Sequence, residues 1–168
     1  STLAEPGELD IYISNNHFVD PALFPQGSGF QLFYTVSRPW SRGTLTLTSR
    51  NPLLKPNIDL NLLDDERDVA RMLEALELSR ALVEETPLRE LVTGEFPGVK
   101  GGKLAVTKSQ KVKEQYATVK SNLHLSATAP MGLESDPQAV VDQQGRVLGT
   151  QGLYVADASI FPDVPSQA

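Results

Sequence analysis

His17 and His124 are the only histidines in a chain of 168 residues that contains no cysteine. An imidazole, with an ordinary pKa of about 6.5, can accept or release a proton near neutral pH. The two histidines are far apart and no thiolate is available, so no metal-ligand spacing is present and we expect no metal site. By residue type alone, His124 is either a structural residue or a proton-transfer group, and His17 is either a solvated loop residue or part of a binding site.

Three short segments close to the end of the chain carry the most informative pattern. They are residues 122–132, 139–142 and 152–162. The first contains His124 and ends in Met131 and Gly132, and the third has Asp157 directly after a short apolar run. Taken alone, an aspartate in that position is typical of a residue that caps a turn or a helix.

A second pattern lies nearer the middle of the chain. Residues 41–44 read Ser-Arg-Gly-Thr, and a Pro-Asn-Ile-Asp run follows at 56–59. Taken together, and in the order in which they occur along the chain, the two patterns resemble the glucose–methanol–choline (GMC) family of FAD-dependent alcohol oxidoreductases over about residues 8–168. One departure is Ala127, where the family pattern usually has glycine, and an alanine there is unstrained only if its φ is negative.

The resemblance implies that the chain is the C-terminal part of a choline dehydrogenase-like flavoprotein that acts on CH–OH donors. His124 then takes the hydroxyl proton while hydride passes to the flavin, and a positioned base contributes roughly 10²–10⁴-fold to such a step. By the same resemblance, Asp157 and Ala158 contact FAD, and His17 belongs to the substrate-binding part. The family's second catalytic residue falls after Ala168.

The glycine-rich fingerprint that holds FAD in this family, G-x-G-x-x-G after a strand, does not occur in the chain. We therefore expect an N-terminal FAD-binding portion, on a separate chain or in a segment outside this one, and a small-molecule alcohol as substrate. Two alternatives stay open. The chain could be a cofactor-free interaction or structural module of the same fold, or part of a flavin-bearing hydroxynitrile lyase that uses the same histidine.

Composition excludes several other classes of protein. The formal charge of −6 and the isoelectric point of about 4.9 favour a soluble protein and argue against a nucleic-acid binder. No apolar run approaches the roughly 20 residues that span a bilayer, and residues 1–6 do not resemble a signal peptide. We favour the cytoplasm over secretion. A basic run is expected to be a solvated loop and helix face, and it consists of Lys100, Lys103, Lys108, Lys111 and Lys113.

The hydrophobic pattern predicts an α+β fold, an antiparallel sheet with packed helices. The resemblance implies in addition a C-terminal strand that belongs to the FAD domain. Strands are expected at 9–13, 30–36 and 44–48. The turn at 38–43 favours pairing between the second and third strands. We divide the chain into a substrate-binding portion, 1–120, and a portion with the histidine motif and the return segment, 121–168.

Two helices are expected between these strands and the histidine motif. The first covers residues 64–85 and is capped by Asp64, and the second covers 109–119. Helical spacing predicts that the first helix buries one apolar face. That face consists of Val69, Leu73, Leu76 and Val83.

Overall fold

The computed structural model describes residues 11–16, 30–95, 105, 107–121 and 123–165. His17 lies outside these residues. The chain forms two compact units: one contains residues 1–41 and 62–120, and the other contains residues 42–61 and 121–168. Helices and antiparallel strands are both present, which confirms the α+β class. The division at residue 120 into substrate-binding and histidine-motif portions stays a prediction.

The sheet of the first unit has two antiparallel strands, β1 (Ile11–Asn16) and β2 (Gln31–Val36). Ile11 lies opposite Val36, and Asn16 lies opposite Gln31. The predicted pairing of β2 with the next strand is therefore wrong. That strand, β3 (Thr44–Thr46), is shorter than expected and pairs with β4 (Asn57–Asp59) in the second unit.

The clearest predicted helix is confirmed as α1 (Glu66–Glu84). Its cap is Asp65 rather than Asp64: the Asp65 carboxylate accepts a hydrogen bond of 2.9 Å from the Arg67 backbone N–H. Side-chain and backbone hydrogen bonds from Arg67 lower the pKa of Asp65 to about 2. The expected apolar face is wrong in part, since of its four residues only Leu76 is fully buried. The buried positions of α1 are Asp68, Arg71, Met72, Ala75, Leu76 and Ser79.

Two further helices complete the first unit. The short α2 (Leu88–Leu91) follows α1, and α3 (Lys108–Thr118) confirms the second predicted helix, with Thr107 and Gln110 forming a capping box at its start. Tyr34 on β2 and the buried Gln115 on α3 exchange hydrogen bonds, and burial raises the pKa of Tyr34. The lysine run is not wholly solvated, because Lys111 is largely buried and forms an ion pair with Glu77 of α1.

Asp68 holds the segment that follows β2 against α1. Its side chain and that of Arg71 are only 2% exposed. The backbone N–H groups of Trp40 and Ser41 donate to the Asp68 carboxylate at 3.0 and 2.7 Å, and the Ser41 hydroxyl donates at 2.6 Å. Arg71 lies 3.5 Å from the same carboxylate and donates to the Arg38 carbonyl at 2.6 Å. These bonds direct residues 38–41 towards α1. The chain therefore does not reverse direction after β2, and β2 and β3 do not form a hairpin.

The second unit contains few regular elements besides β3 and β4. Isolated bridges join Met131 to Val141, Val141 to Val147, and Arg146 to Tyr154, and a 3₁₀ helix covers Ala158–Ile160. Between residues 123 and 165 no regular strand forms, and the C-terminal strand expected to belong to the FAD domain stays a prediction. After the single bridge at Tyr154 the backbone turns into the 3₁₀ helix, because the Asp157 side chain caps it. In the described part of the chain, no helix is both long and apolar enough to cross a membrane.

We predict that replacing the buried carboxylate, Asp68→Ala, lowers the free energy of unfolding by roughly 3 kcal/mol, because it leaves the Arg71 charge and two backbone N–H groups without their acceptor. Urea denaturation measures the change. Asp64→Ala, at an exposed carboxylate just before the helix, is the control and should change stability by less than about 0.5 kcal/mol. Equal effects of the two substitutions would contradict the role given to Asp68.

Candidate active site

His124 lies on an exposed stretch of the second unit. Its neighbours Leu123 and Leu125 are also exposed, at 89% and 55%. The Leu123 backbone N–H donates to the Ser121 hydroxyl at 3.0 Å, and Leu123 has a φ of 63°, in the left-handed region. A bulky residue in that region costs about 1–2 kcal/mol. The imidazole is therefore presented between two solvent-facing leucines by a locally bent backbone.

Backbone hydrogen bonds attach the histidine segment to the segment of the 3₁₀ helix. The N–H groups of Ala127, Ala129 and Met131 donate to the carbonyls of Ala158, Ser159 and Ile160, at 3.2, 2.8 and 2.9 Å respectively. We call this pairing of residues 127–131 with 158–160 the site ladder. It brings the predicted catalytic segment and the predicted cofactor-binding segment side by side, although about thirty residues separate them in sequence.

Asp157 shapes the second half of the site ladder. Its carboxylate accepts from the Ser159 backbone N–H at 2.9 Å and also from the Ser159 hydroxyl. These two hydrogen bonds, the side-chain bond first, lower the pKa of Asp157 below its ordinary value of 3.8. Asp157 is thus an N-cap, as its residue type alone suggests, and the cap sets the backbone conformation of the neighbouring Ala158.

The other edge of the histidine segment is attached to Val141, which is fully buried. The Val141 backbone N–H donates to the Pro130 carbonyl at 3.3 Å, and the Gly132 N–H donates to the Val141 carbonyl at 3.0 Å. A Cβ at Gly132 would lie 2.8 Å from the Ala139 Cβ. The glycine of the motif's Met-Gly pair is therefore explained by packing, because a side chain at position 132 would collide with Ala139.

A tight turn formed by residues 142–146 directly follows Val141. The Asp142 side chain accepts from the backbone N–H groups of Gln144 and Arg146 at 2.8 and 3.0 Å, and from the Arg146 guanidinium at 2.7 Å. Gly145 has a φ of 76° at the corner of the turn. In the sequence, residues 139–142 stood out only as one segment of the pattern near the end of the chain. The aspartate followed by glycine at this spacing is the signal that could have predicted the turn.

Ala127 occupies a backbone conformation that favours glycine. Its φ is 63°, so the condition under which an alanine is unstrained here is not met. The residue nevertheless donates the first hydrogen bond of the site ladder. The family pattern's usual glycine at this position thus has a conformational explanation, and this chain carries a local strain that a glycine would remove.

The structure brings together some of the residues singled out in the sequence and leaves others apart. The segments of His124 and of Asp157 and Ala158 are joined by the site ladder, whereas His17 is outside the described residues. In the ranges 30–95, 107–121 and 123–165, no cluster of three or more acidic or histidine side chains could hold a metal ion.

Comparison with known proteins assigns the family. Residues 39–168 match the model of a family described as GMC oxidoreductase. An oxygen-dependent choline dehydrogenase from Vibrio vulnificus is 37% identical over 83% of this chain and 24% of its own length. A 5-(hydroxymethyl)furfural oxidase from Methylovorus sp. is 36% identical over 97% of this chain and 31% of its own length. The chain belongs to the GMC oxidoreductase family.

Solved structures agree with this assignment. The pyridoxine 4-oxidase of Mesorbium loti superposes with a TM-score of 0.71 and 27% identity, over 92% of this chain and 30% of that one. An Aspergillus oryzae formate oxidase, studied for its FAD modification, superposes with a TM-score of 0.70 and 26% identity, over 80% of this chain and 23% of that one. The chain thus spans between about a quarter and a third of the length of these proteins.

We predict that Ala127→Gly stabilises the protein by roughly 1 kcal/mol, because it relieves the left-handed strain at the first bond of the site ladder. The control is Ala129→Gly, at a ladder position outside the left-handed region, which should destabilise by about 0.5–1 kcal/mol through added backbone entropy. Urea denaturation of both variants measures the difference. Destabilisation by both would contradict the strain at Ala127.

We predict that the stabilising effect of Asp157 depends on pH. Its folded-state pKa is below the ordinary value of 3.8, so its contribution is present above that pH and is lost as the pH falls through the folded value. Asp157→Ala should lower Tm at pH 7, and the difference from wild type should shrink as the pH falls below 3.8. A Tm difference that stays constant down to pH 3 would contradict the capping role; Glu134→Gln, at an exposed carboxylate, is the control.

Proposed function

We propose that this chain is the C-terminal part of an FAD-dependent enzyme that oxidises a small alcohol, with His124 as the group that takes the hydroxyl proton. The observation that carries the proposal is the site ladder. It fixes the His124 segment next to Asp157 and Ala158, the residues expected to contact FAD. Two groups that must act on one reacting centre need such mutual positioning, because misplacement by about 1 Å can cost 10²-fold in rate.

The residues present fit a flavin. The leucines that flank His124 are exposed, which suits an apolar ring system, and Ala158 is a small, exposed residue whose carbonyl accepts from the Ala127 N–H in the site ladder. The Ser126 hydroxyl is buried and has no hydrogen-bond partner among the described residues, so it can serve a group from outside them. When bound, FAD supplies the hydride acceptor. Asp157 and Ala158 would hold it, with Asp157 acting through the backbone that it caps.

His124 supplies the chemistry that this chain can perform itself. Loss of hydride from a neutral alcohol is difficult, whereas an alkoxide-like state loses it far more readily. A neutral imidazole within hydrogen-bond reach of the hydroxyl can take that proton, and such general-base catalysis contributes roughly 10²–10⁴-fold. His124 is exposed in the second unit, so its imidazole is not enclosed by side chains of this chain and can face a group held by the rest of the enzyme.

The relatives support a small alcohol as substrate. Choline and 5-(hydroxymethyl)furfural, which appear in the names of two relatives, both carry a primary alcohol. The FAD-binding portion would come from the part of the enzyme outside this chain, since those relatives are at least three times longer. A contribution of His17 to the substrate-binding part, and a soluble, cytoplasmic enzyme, stay predictions from the sequence.

The test is His124→Ala in the complete enzyme. Flavin reduction by the alcohol is followed anaerobically as the loss of absorbance at about 450 nm. The rate of reduction should fall by roughly 10²–10⁴-fold while FAD remains bound. The control is Lys120→Gln, an exposed residue just before the histidine segment, which should reduce flavin at the wild-type rate. A near-wild-type rate for His124→Ala would overturn the role of His124.

The same experiment separates the alternatives. A hydroxynitrile lyase would release cyanide from its substrate without bleaching the flavin, and a cofactor-free module would contain no flavin at all. Either result would overturn the proposed oxidation.

A further inference from the structure

The hairpin formed by β3 and β4 exposes an unusual number of large apolar side chains. They are between 50% and 88% exposed and form what we call the hairpin apolar surface: Leu45, Leu47, Leu53, Leu54 and Ile58. Large exposed apolar side chains grouped on one short hairpin are a feature of protein–protein interaction sites.

The hairpin apolar surface is built on a closed and well-bonded hairpin. Leu45 lies directly opposite Ile58, so the two side chains share one side of the pair. A Cβ at Gly43 would lie 2.2 Å from the Asp59 carbonyl oxygen, so the strands approach closely at that end. At the other end, the Thr48 hydroxyl donates to the Lys55 carbonyl at 2.9 Å. The surface is therefore already shaped for a partner.

The second unit has a small apolar core in the part of the chain that the structure describes. Among its described residues, Val141 is the one apolar side chain that is fully buried. The first unit buries five such side chains: Leu63, Met72, Ala75, Leu76 and Ala105. Domains below about 60–70 residues are marginal even when they bury most of their apolar surface. Further apolar contacts, made with residues outside this chain, would therefore add to the stability of the second unit.

We propose that the hairpin apolar surface is the contact through which this chain docks onto the FAD-binding portion of the same enzyme. The inference rests on the proposed function, and it adds the surface by which the FAD-binding portion would bind this chain. The relatives place about 70% or more of their length outside the region that matches this chain, so a large partner segment exists in them. The hairpin also joins the segment that leads out of the site ladder, because Arg42 pairs with Asp163 at 3.3 Å. One partner surface can then cover both the hairpin and the candidate active site.

The test measures thiol accessibility in the full-length enzyme with bound FAD. Leu47→Cys and Leu53→Cys are made singly, and labelling of each new thiol by a maleimide is followed by mass spectrometry of its peptide; this chain contributes no other cysteine. Each rate is compared with the rate for the same variant in urea. Docking predicts at least about 100-fold protection at both positions. Leu91→Cys, at a residue of the first unit that is 75% exposed, is the matched control and should react at close to its rate in urea.

Three results would overturn the proposal: native labelling within about threefold of the rate in urea, protection that disappears when the enzyme is diluted to a monomer, or protection that requires added lipid vesicles. The last two would assign the surface to a second copy or to a membrane. If a cysteine variant loses its FAD, hydroxyl-radical footprinting of the wild-type leucines measures the same protection. Neither readout needs turnover, so an enzyme with protected thiols but no alcohol oxidation would refute the proposed function and leave this docking surface in place.

Discussion

Three backbone hydrogen bonds between residues 127–131 and 158–160 hold together the two segments that carry the candidate active-site residues. Because these bonds join backbone groups, they tolerate different side chains at both segments and still hold the His124 segment beside Asp157 and Ala158. The Asp157 cap shapes one partner segment, and the close packing at Gly132 shapes the other. Loss of either would change the alignment of the two segments without removing any group that takes part in the chemistry.

Regular local signals in the sequence predict the helices well and the strand pairing poorly. The first helix was predictable because a carboxylate cap precedes a long run of helix formers, although the cap is one residue later than expected. The absence of pairing between β2 and β3 was not predictable, because it depends on Asp68, which lies 27 residues after Ser41 in sequence and accepts a hydrogen bond from the Ser41 backbone N–H. A buried aspartate on a helix also contradicts a purely apolar face, and hydrophobic spacing cannot reveal it.

For the site, the residues were predictable from resemblance, and their arrangement was not. His124 and Asp157 lie in separate segments of the sequence, and neither segment has the alternation of apolar and polar residues that predicts a strand. The bonds between them involve a 3₁₀ helix, Ala158–Ile160, whose carbonyls accept from outside the helix. The backbone conformation of Ala127 could not be predicted either, since an alanine in a sequence does not indicate a positive φ.

The central claim is that the site ladder brings His124 and the pair of Asp157 and Ala158 to a single flavin. A structure of the full-length enzyme with FAD bound tests it most directly. The claim predicts that the His124 imidazole lies beside the reactive part of the flavin ring, that residues 157–158 contact the same FAD molecule, and that the three ladder bonds are intact. A structure in which FAD touches only one of the two segments, or in which residues 127–131 and 158–160 are separated, would contradict it.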